Sequence, residues 1–321
     1  MSEHVEQQFF PIFLESVIVN TILAFDLYIY NRSENKYVLY RSRHTQFVEK
    51  HRQNLLKNNV SSLFITTEDL AHYKKYIEKN LSQIVDSPTL KTEEKANIIY
   101  QSARNLMEEV MAKPLVSDSI KRSRRFVKNT VRYILKEKDY FFSIIHLTSH
   151  DYYTYTHSIN VCIYSLSLAR RLNIISPYQL NLIGTGALLH DIGKSTIPQE
   201  ILLKRGPLTS DEWKIIKEHP LRGLSLLRVH KTLNPHIIEI VRSHHEKLDG
   251  SGYPDGLIGK EVPLFARIAC VADIFDALNT NRPYKKAADT FHSLEIMNEQ
   301  FDGKIDKDIF REFVLLFKRE L

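Results

Sequence analysis

Between His190 and Asp273 the chain carries His190-Asp191-Ile192-Gly193-Lys194, then His219, then His244-His245, then Asp249-Gly250-Ser251-Gly252-Tyr253-Pro254, and last Asp273. Imidazoles that share carboxylates can hold two divalent metal ions about 3.5–4 Å apart, an arrangement that activates water against a phosphate ester. His190 and Asp191 end the apolar run Ala187-Leu188-Leu189. An ionised aspartate buried there would be costly unless a partner neutralised it, and a bridging role between two cations would do so. Asp273 raises the same question, because Ile268-Ala269-Cys270-Val271-Ala272 ahead of it is apolar. Asp276, one turn on, shares its face and could orient a ligand.

These residues need elements that deliver them to one place. Neighbours on a helix point about 100° apart, so His244 and His245 can serve one centre only if the helix ends there. Lys247–Gly252 supplies that break. Ser176-Pro177 opens one helix, Thr209–Glu212 is a capping box, Asn234-Pro235 starts the helix that ends in His244-His245, and Pro263 begins the one carrying Asp273. From Phe141 onward the pattern is wholly helical, with last helices near Thr290–Phe301 and Ile309–Lys318. His146, His150, His230, His236 and His292 are read as ordinary helix or surface histidines.

The first half reads differently. Residues 9–40 read as strands, among them Ile18-Val19, Thr21–Leu23, Leu27–Tyr30 and Tyr37–Tyr40, with a polar turn at Asn31–Asn35. A helix is predicted over Phe47–Asn58, a strand at Ser62–Ile65, and helices over Thr67–Lys79 and Thr92–Met111. All ten glycines lie at or beyond Gly184, so no glycine-rich phosphate loop exists in this half. The expected organisation is an N-terminal α+β unit over 1–112, a linker helix over 113–138 and an all-helical bundle over 139–321. The linker helix is basic, with Lys121, Arg122, Arg124, Arg125, Lys128 and Arg132. It reads as a solvated helix whose apolar stripe (Val127, Val131, Ile134-Leu135) packs on the C-terminal domain or a second subunit.

Composition fits this picture. The chain has 321 residues, 43% hydrophobic and 26% charged, with a net charge of +6 and a pI near 9.0. That suits an anionic ligand, although charge says little about fold. Two distant cysteines, Cys162 and Cys270, exclude a disulfide framework and a thiolate zinc site, and suit a reducing cytoplasm. The apolar run Phe9–Phe25 contains Glu15, Ser16 and Asn20, so it is too short and too polar for a membrane span. No basic head or cleavage site marks a signal peptide.

Residues from about 140 to 321 resemble the HD-GYP domain, a branch of the HD metal-dependent phosphohydrolases acting on cyclic di-GMP. The resemblance rests on Tyr155-Thr156-His157-Ser158, His190–Lys194, His219-Pro220, His244-His245-Glu246, Gly250–Pro254, Ala272–Ala277 and Arg282-Pro283-Tyr284-Lys285. It implies that His157, His190, Asp191 and Asp273 hold one metal, and Asp191, His219, His244 and His245 the other. It favours iron, then manganese. Some members place a glutamate four residues before the position of His157 to support a third metal; here that position is Tyr153, so two ions are expected, with Asp151 a substitute only if the helix is distorted.

The implied reaction is attack of a metal-activated hydroxide on one phosphodiester of cyclic di-GMP, giving linear pGpG. Lys194 would hold a phosphate oxygen, Gly252, Tyr253 and Pro254 would contact substrate, and Arg282 and Lys285 would clamp the second phosphate. A cyclic di-GMP-binding effector and a hydrolase of another cyclic dinucleotide are the competing readings. No nucleic-acid polymer is expected as partner. A homodimer through residues 119–137 and signalling partners of the N-terminal unit are expected.

Overall fold

The structure is a computed structural model and describes residues 8–60, 62–114, 118–147, 154–204, 206–229, 233–280 and 289–318. The chain forms two compact units, Met1–Ser102 and Ala103–Leu321.

In the first unit, β1 (Phe9–Phe13), β2 (Thr21–Ile22), β3 (Leu27–Asn31), β4 (Lys36–Arg41) and β5 (Gln46–Phe47) precede α1 (Glu49–Lys57), β6 (Ser62–Thr66) and α2 (Leu70–Asp86). The boundary between the units falls inside α3 (Thr92–Ala112). Four strands make an antiparallel sheet in the order β1-β6-β3-β4, and β2 pairs with β5. Alternation gives one face to the core: Ile12, Leu27, Leu63 and Ile65 are buried. Pro11 is tolerated because β1 lies at the sheet edge.

Three readings are corrected here. Ile18-Val19 is not a strand: the amide of Ile18 donates to the Tyr76 hydroxyl at 2.8 Å, and Asn20 turns the chain at φ 65°. Phe47 pairs with Thr21, so the helix starts only at Glu49. The helix predicted to stop at Lys79 runs to Asp86, because Leu81, Ile84 and Val85 continue its buried face until Ser87-Pro88.

The second unit is all helical among its described residues: α4 (Ser119–Lys136), α5 (Tyr140–Ile145), α6 (Thr154–Arg171), α7 (Pro177–Leu189), α8 (Gln199–Leu202), α9 (Ser210–Lys217), α10 (His219–Arg228), α11 (Pro235–Ser243), α12 (Leu264–Asn279), α13 (Thr290–Gln300) and α14 (Lys307–Val314). α7 is the hub. Leu180 and every residue from Leu182 to Leu189 are buried, and α4, α6 and α11 pack around it. Tyr164, Phe275 and Phe313 fill a second part of the core through edge-on contacts. The apolar residues of α4, including Phe126, Val127, Val131 and Ile134, are buried within this unit. The expected capping box at Thr209–Glu212 forms, with the Thr209 hydroxyl accepting from the Glu212 amide. Among the described residues no helix is long and apolar enough to cross a membrane.

Candidate metal centre

Five of the seven predicted ligands sit where helices end or begin. His190 closes α7, and Asp191 follows it at φ −96°, outside helical geometry. His219 opens α10, and His244 closes α11 with His245 just beyond. The interruption expected after the His-His pair is therefore present, and it lets both rings face inward. His157 and Asp273 come instead from within α6 and α12, which pack side by side.

Glycine makes two of these close approaches feasible. A Cβ on Gly193 would lie 2.0 Å from the backbone oxygen of His219, so the turn after Asp191 can nestle on α10 only without a side chain. A Cβ on Gly252 would lie 2.4 Å from the Lys247 amide nitrogen, which keeps the loop folded back on the end of α11.

Two groups of ligand atoms result among the described residues: Asp191 with His219, His244 and His245, and His157 with His190 and Asp273. Asp191 joins them. Its Oδ1 lies 3.2 Å from His219 Nε2 and 3.9 Å from His244 Nε2. Its Oδ2 lies 3.3 Å from His190 Nε2 and 3.6 Å from His157 Nε2. One carboxylate thus turns one oxygen to each group. Asp273 faces His157 Nε2 at 3.0 Å and His245 Nδ1 at 3.4 Å. All seven side chains are buried except His245, which is about one-fifth exposed.

The outer nitrogens fix the ring tautomers. Nδ1 of His190 donates to the Ala187 carbonyl at 2.7 Å, that of His219 to the Ile216 carbonyl at 2.8 Å, and that of His244 to the Val241 carbonyl at 3.0 Å. Each Nε2 then presents a lone pair to the interior. His219 Nε2 and His244 Nε2 face each other at 3.1 Å, two acceptors that a cation between or beside them would reconcile. His190 Nε2 and Asp191 Oδ1, both buried, have no hydrogen-bond partner among the described residues. Buried polar atoms are rarely left so. The donor set, imidazole and carboxylate without thiolate, fits divalent transition ions.

Electrostatics agree. Burial alone would raise the Asp191 pKa, but the Lys194 ammonium outweighs it and holds the carboxyl well below its usual range. Asp273 is held low against burial by its hydrogen bond with His157. Burial pushes His219 down to about 4, and it pushes His244 and His245 well below the ordinary imidazole value. These rings are neutral and ready to ligate. His157 goes the other way: burial opposes its charge, yet its hydrogen bonds to the carboxylates of Asp273 and Asp276 raise it to about 10.

Asp276 has the orienting position expected of it. Its Oδ2 accepts from His157 Nδ1 at 2.7 Å, and its Oδ1 accepts from Asn160 Nδ2 at 2.8 Å. Asn160 was not foreseen, although it stands one helical turn after His157. Glu246, which follows the His-His pair, is buried and accepts the amides of Asp255 at 2.7 Å and Leu257 at 3.0 Å, anchoring the glycine-rich loop, a role its sequence position does not reveal.

Of the predicted substrate residues, Lys194 donates to Asp191 Oδ2 at 2.6 Å. Tyr253 stacks on His245 with ring centres 4.7 Å apart, next to Gly252 and Pro254 in the same loop. Lys217 Nζ, not foreseen, lies 5.5 Å from the Tyr253 ring centre. Arg282, Lys285, Asp151 and Tyr153 lie outside the described residues.

Comparison with known proteins follows the same lines. Residues 114–309 match the family model described as HD domain. A cyclic di-GMP phosphodiesterase of Pseudomonas aeruginosa is 36% identical over 181 residues, covering 56% of this chain and 43% of that protein. A 3′3′-cGAMP-specific phosphodiesterase of Vibrio cholerae is 41% identical over 161 residues, covering 49% of this chain and 34% of that protein. The chain thus spans less than half the length of either relative. The solved structure of an HDG"Y"P protein from Bdellovibrio bacteriovorus superposes with a TM-score of 0.65 at 22% identity, covering 95% of this chain and 98% of that one, which speaks to fold alone.

Proposed function

The chain belongs to the HD-domain family, and on that footing we propose that it hydrolyses the signalling nucleotide cyclic di-GMP to linear pGpG. The observation that carries this reading is the placement of Asp191, with one oxygen toward each of two ligand groups. The P. aeruginosa relative, named for this activity, supports the choice of substrate.

His157, His190, Asp191 and Asp273 would hold one ion, and Asp191, His219, His244 and His245 the other, iron first and manganese next. Such ions, when bound, would supply the Lewis acidity that activates water near neutral pH and would offset phosphate charge. The chain's own residues do the rest. Asp276 holds the His157 ring so that Nε2 faces inward. Lys194, 2.6 Å from Asp191 Oδ2, would turn its ammonium toward a phosphate oxygen of the substrate. Tyr253, held by Gly252 and Pro254 over His245, closes one side of the centre and offers a hydroxyl to substrate. Arg282 and Lys285 are proposed to hold the second phosphate. The setting is proposed to be cytoplasmic, with signalling partners for the N-terminal unit and a homodimer of the full chain, which light scattering would detect.

Metal-loaded protein incubated with cyclic di-GMP, 3′3′-cGAMP and cyclic di-AMP, with products separated by chromatography, tests the reading. The expected outcome is pGpG from cyclic di-GMP at the highest kcat/KM. A preference for 3′3′-cGAMP would favour the second reading, which the V. cholerae relative supports. Tight binding of cyclic di-GMP with no cleavage would make the protein an effector and overturn the enzymatic reading.

A further inference from the structure

Away from the metal centre, a groove of about 560 Å³ opens between α4, the first turns of α7 and α11. One wall carries Lys121, Arg124, Arg125 and Lys128, spaced three and four apart and hence on a single face of α4. All four are exposed. The opposite wall carries Tyr178, a residue 64% exposed whose hydroxyl accepts from Asn234 Nδ2 at 2.9 Å. The ring is therefore tethered at one end with a face open to the groove. Leu182 and Ile237 form an apolar floor, and Asn181 and Thr185 add polar groups.

We propose that this groove is a second ligand site, for a nucleotide carrying two or more phosphates. The cationic wall suits the phosphates, and its span from Lys121 to Lys128, about 10 Å along the helix axis, suits a short phosphate chain. The tethered Tyr178 ring and apolar floor suit a base. The volume lies within the range of small-molecule sites, roughly 300–1,000 Å³. A bilayer surface fits less well. Phe126, Val127 and Val131 of α4 are buried inside the unit, so this helix has no apolar face left to insert between lipids. The site also touches the N-terminal end of α7, the helix whose other end, about 20 Å away, presents His190.

Isothermal titration of full-length, chelator-treated protein with GTP tests the site independently of hydrolysis. Wild type is expected to bind. R124E/K128E should weaken binding by about tenfold or more, and Tyr178→Ala should weaken it several-fold. Asp191→Ala, which alters only the metal centre, should leave it unchanged. Affinity should fall as salt rises. Absence of binding by wild type, equal binding by R124E/K128E and wild type, or loss of binding in Asp191→Ala would each overturn the proposal. So would charge-dependent capture by phosphatidylserine vesicles or by single-stranded DNA without GTP binding, which would make the basic face a lipid or polymer surface instead.

Discussion

Each unit of the protein buries an aspartate, and the two keep different neighbours. In the N-terminal unit Asp69 is 1% exposed; its Oδ2 accepts the Asp26 amide at 2.9 Å and Arg43 at 3.2 Å, and its Oδ1 lies 3.6 Å from His72. In the C-terminal unit Asp191 is fully buried, its Oδ2 meets Lys194, and its Oδ1 faces the inward nitrogens of His219 and His244, whose protons are on the other side of the rings. Donors reach Asp69 at Oδ2, while its Oδ1, like that of Asp191, has no hydrogen-bond partner among the described residues. Acceptors surround the Oδ1 of Asp191, and a cation there would complete it. Burial and an ion-pair partner are shared by both residues, so the kind of neighbour is what marks Asp191, and not Asp69, as the proposed metal ligand.

The sharpest way to break this contrast is to remove each carboxylate in turn. Asp191→Ala should abolish stoichiometric metal uptake and lower turnover by on the order of a thousandfold or more, read by elemental analysis and product chromatography. Asp69→Ala should leave metal content unchanged. If the two variants bind metal alike, the contrast is wrong. Next in size is Asp276→Asn, which keeps the shape but weakens the acceptor for His157 Nδ1; metal affinity should fall about 10–100-fold while the fold, followed by circular dichroism, persists.

A smaller effect is expected at Asp69→Asn, which keeps the volume but loses the charge facing Arg43. Urea unfolding should show a loss of about 1–3 kcal/mol, with metal stoichiometry intact. The smallest signal concerns protons. His157 is raised to about 10 and so is protonated at pH 8 in the metal-free protein. Metal binding at Nε2 must displace that proton, whereas His219, pushed down to about 4, has none to lose. Titration with metal at pH 8 in weakly buffered solution should release about one proton per chain, and His157→Ala should suppress it.

Much of the site was legible because its chemistry is local. His-Asp and His-His pairs at helix ends stand out from residue type alone, and the glycine-rich stretch that follows marks where α11 must stop. Asn160 and Glu246 were harder to see. Each acts on a partner through a hydrogen bond that depends on where another element lies, and neither differs in the sequence from an ordinary polar helix or loop residue. In the N-terminal unit, Ile18-Val19 has strand composition but spends its backbone donor on Tyr76, a residue of α2. Composition carries no trace of that tertiary bond, so the strand reading failed there. The basic face of α4 was legible as charge, but its groove was not, because the second wall comes from α7.

By itself the sequence determined the donor chemistry, the helix ends that free His190, Asp191, His244 and His245, and the glycines that permit close backbone approach. Those follow from side-chain type and from steric rules acting over a few residues. The tertiary structure decided which oxygen of Asp191 meets which imidazole, and that His157 is oriented by a carboxylate 119 positions away. Such pairings are set by how α6, α7, α10, α11 and α12 pack. Periodicity fixes which face of a helix is apolar, but not the depth or rotation at which it docks against its neighbours, and ligand distances depend on both.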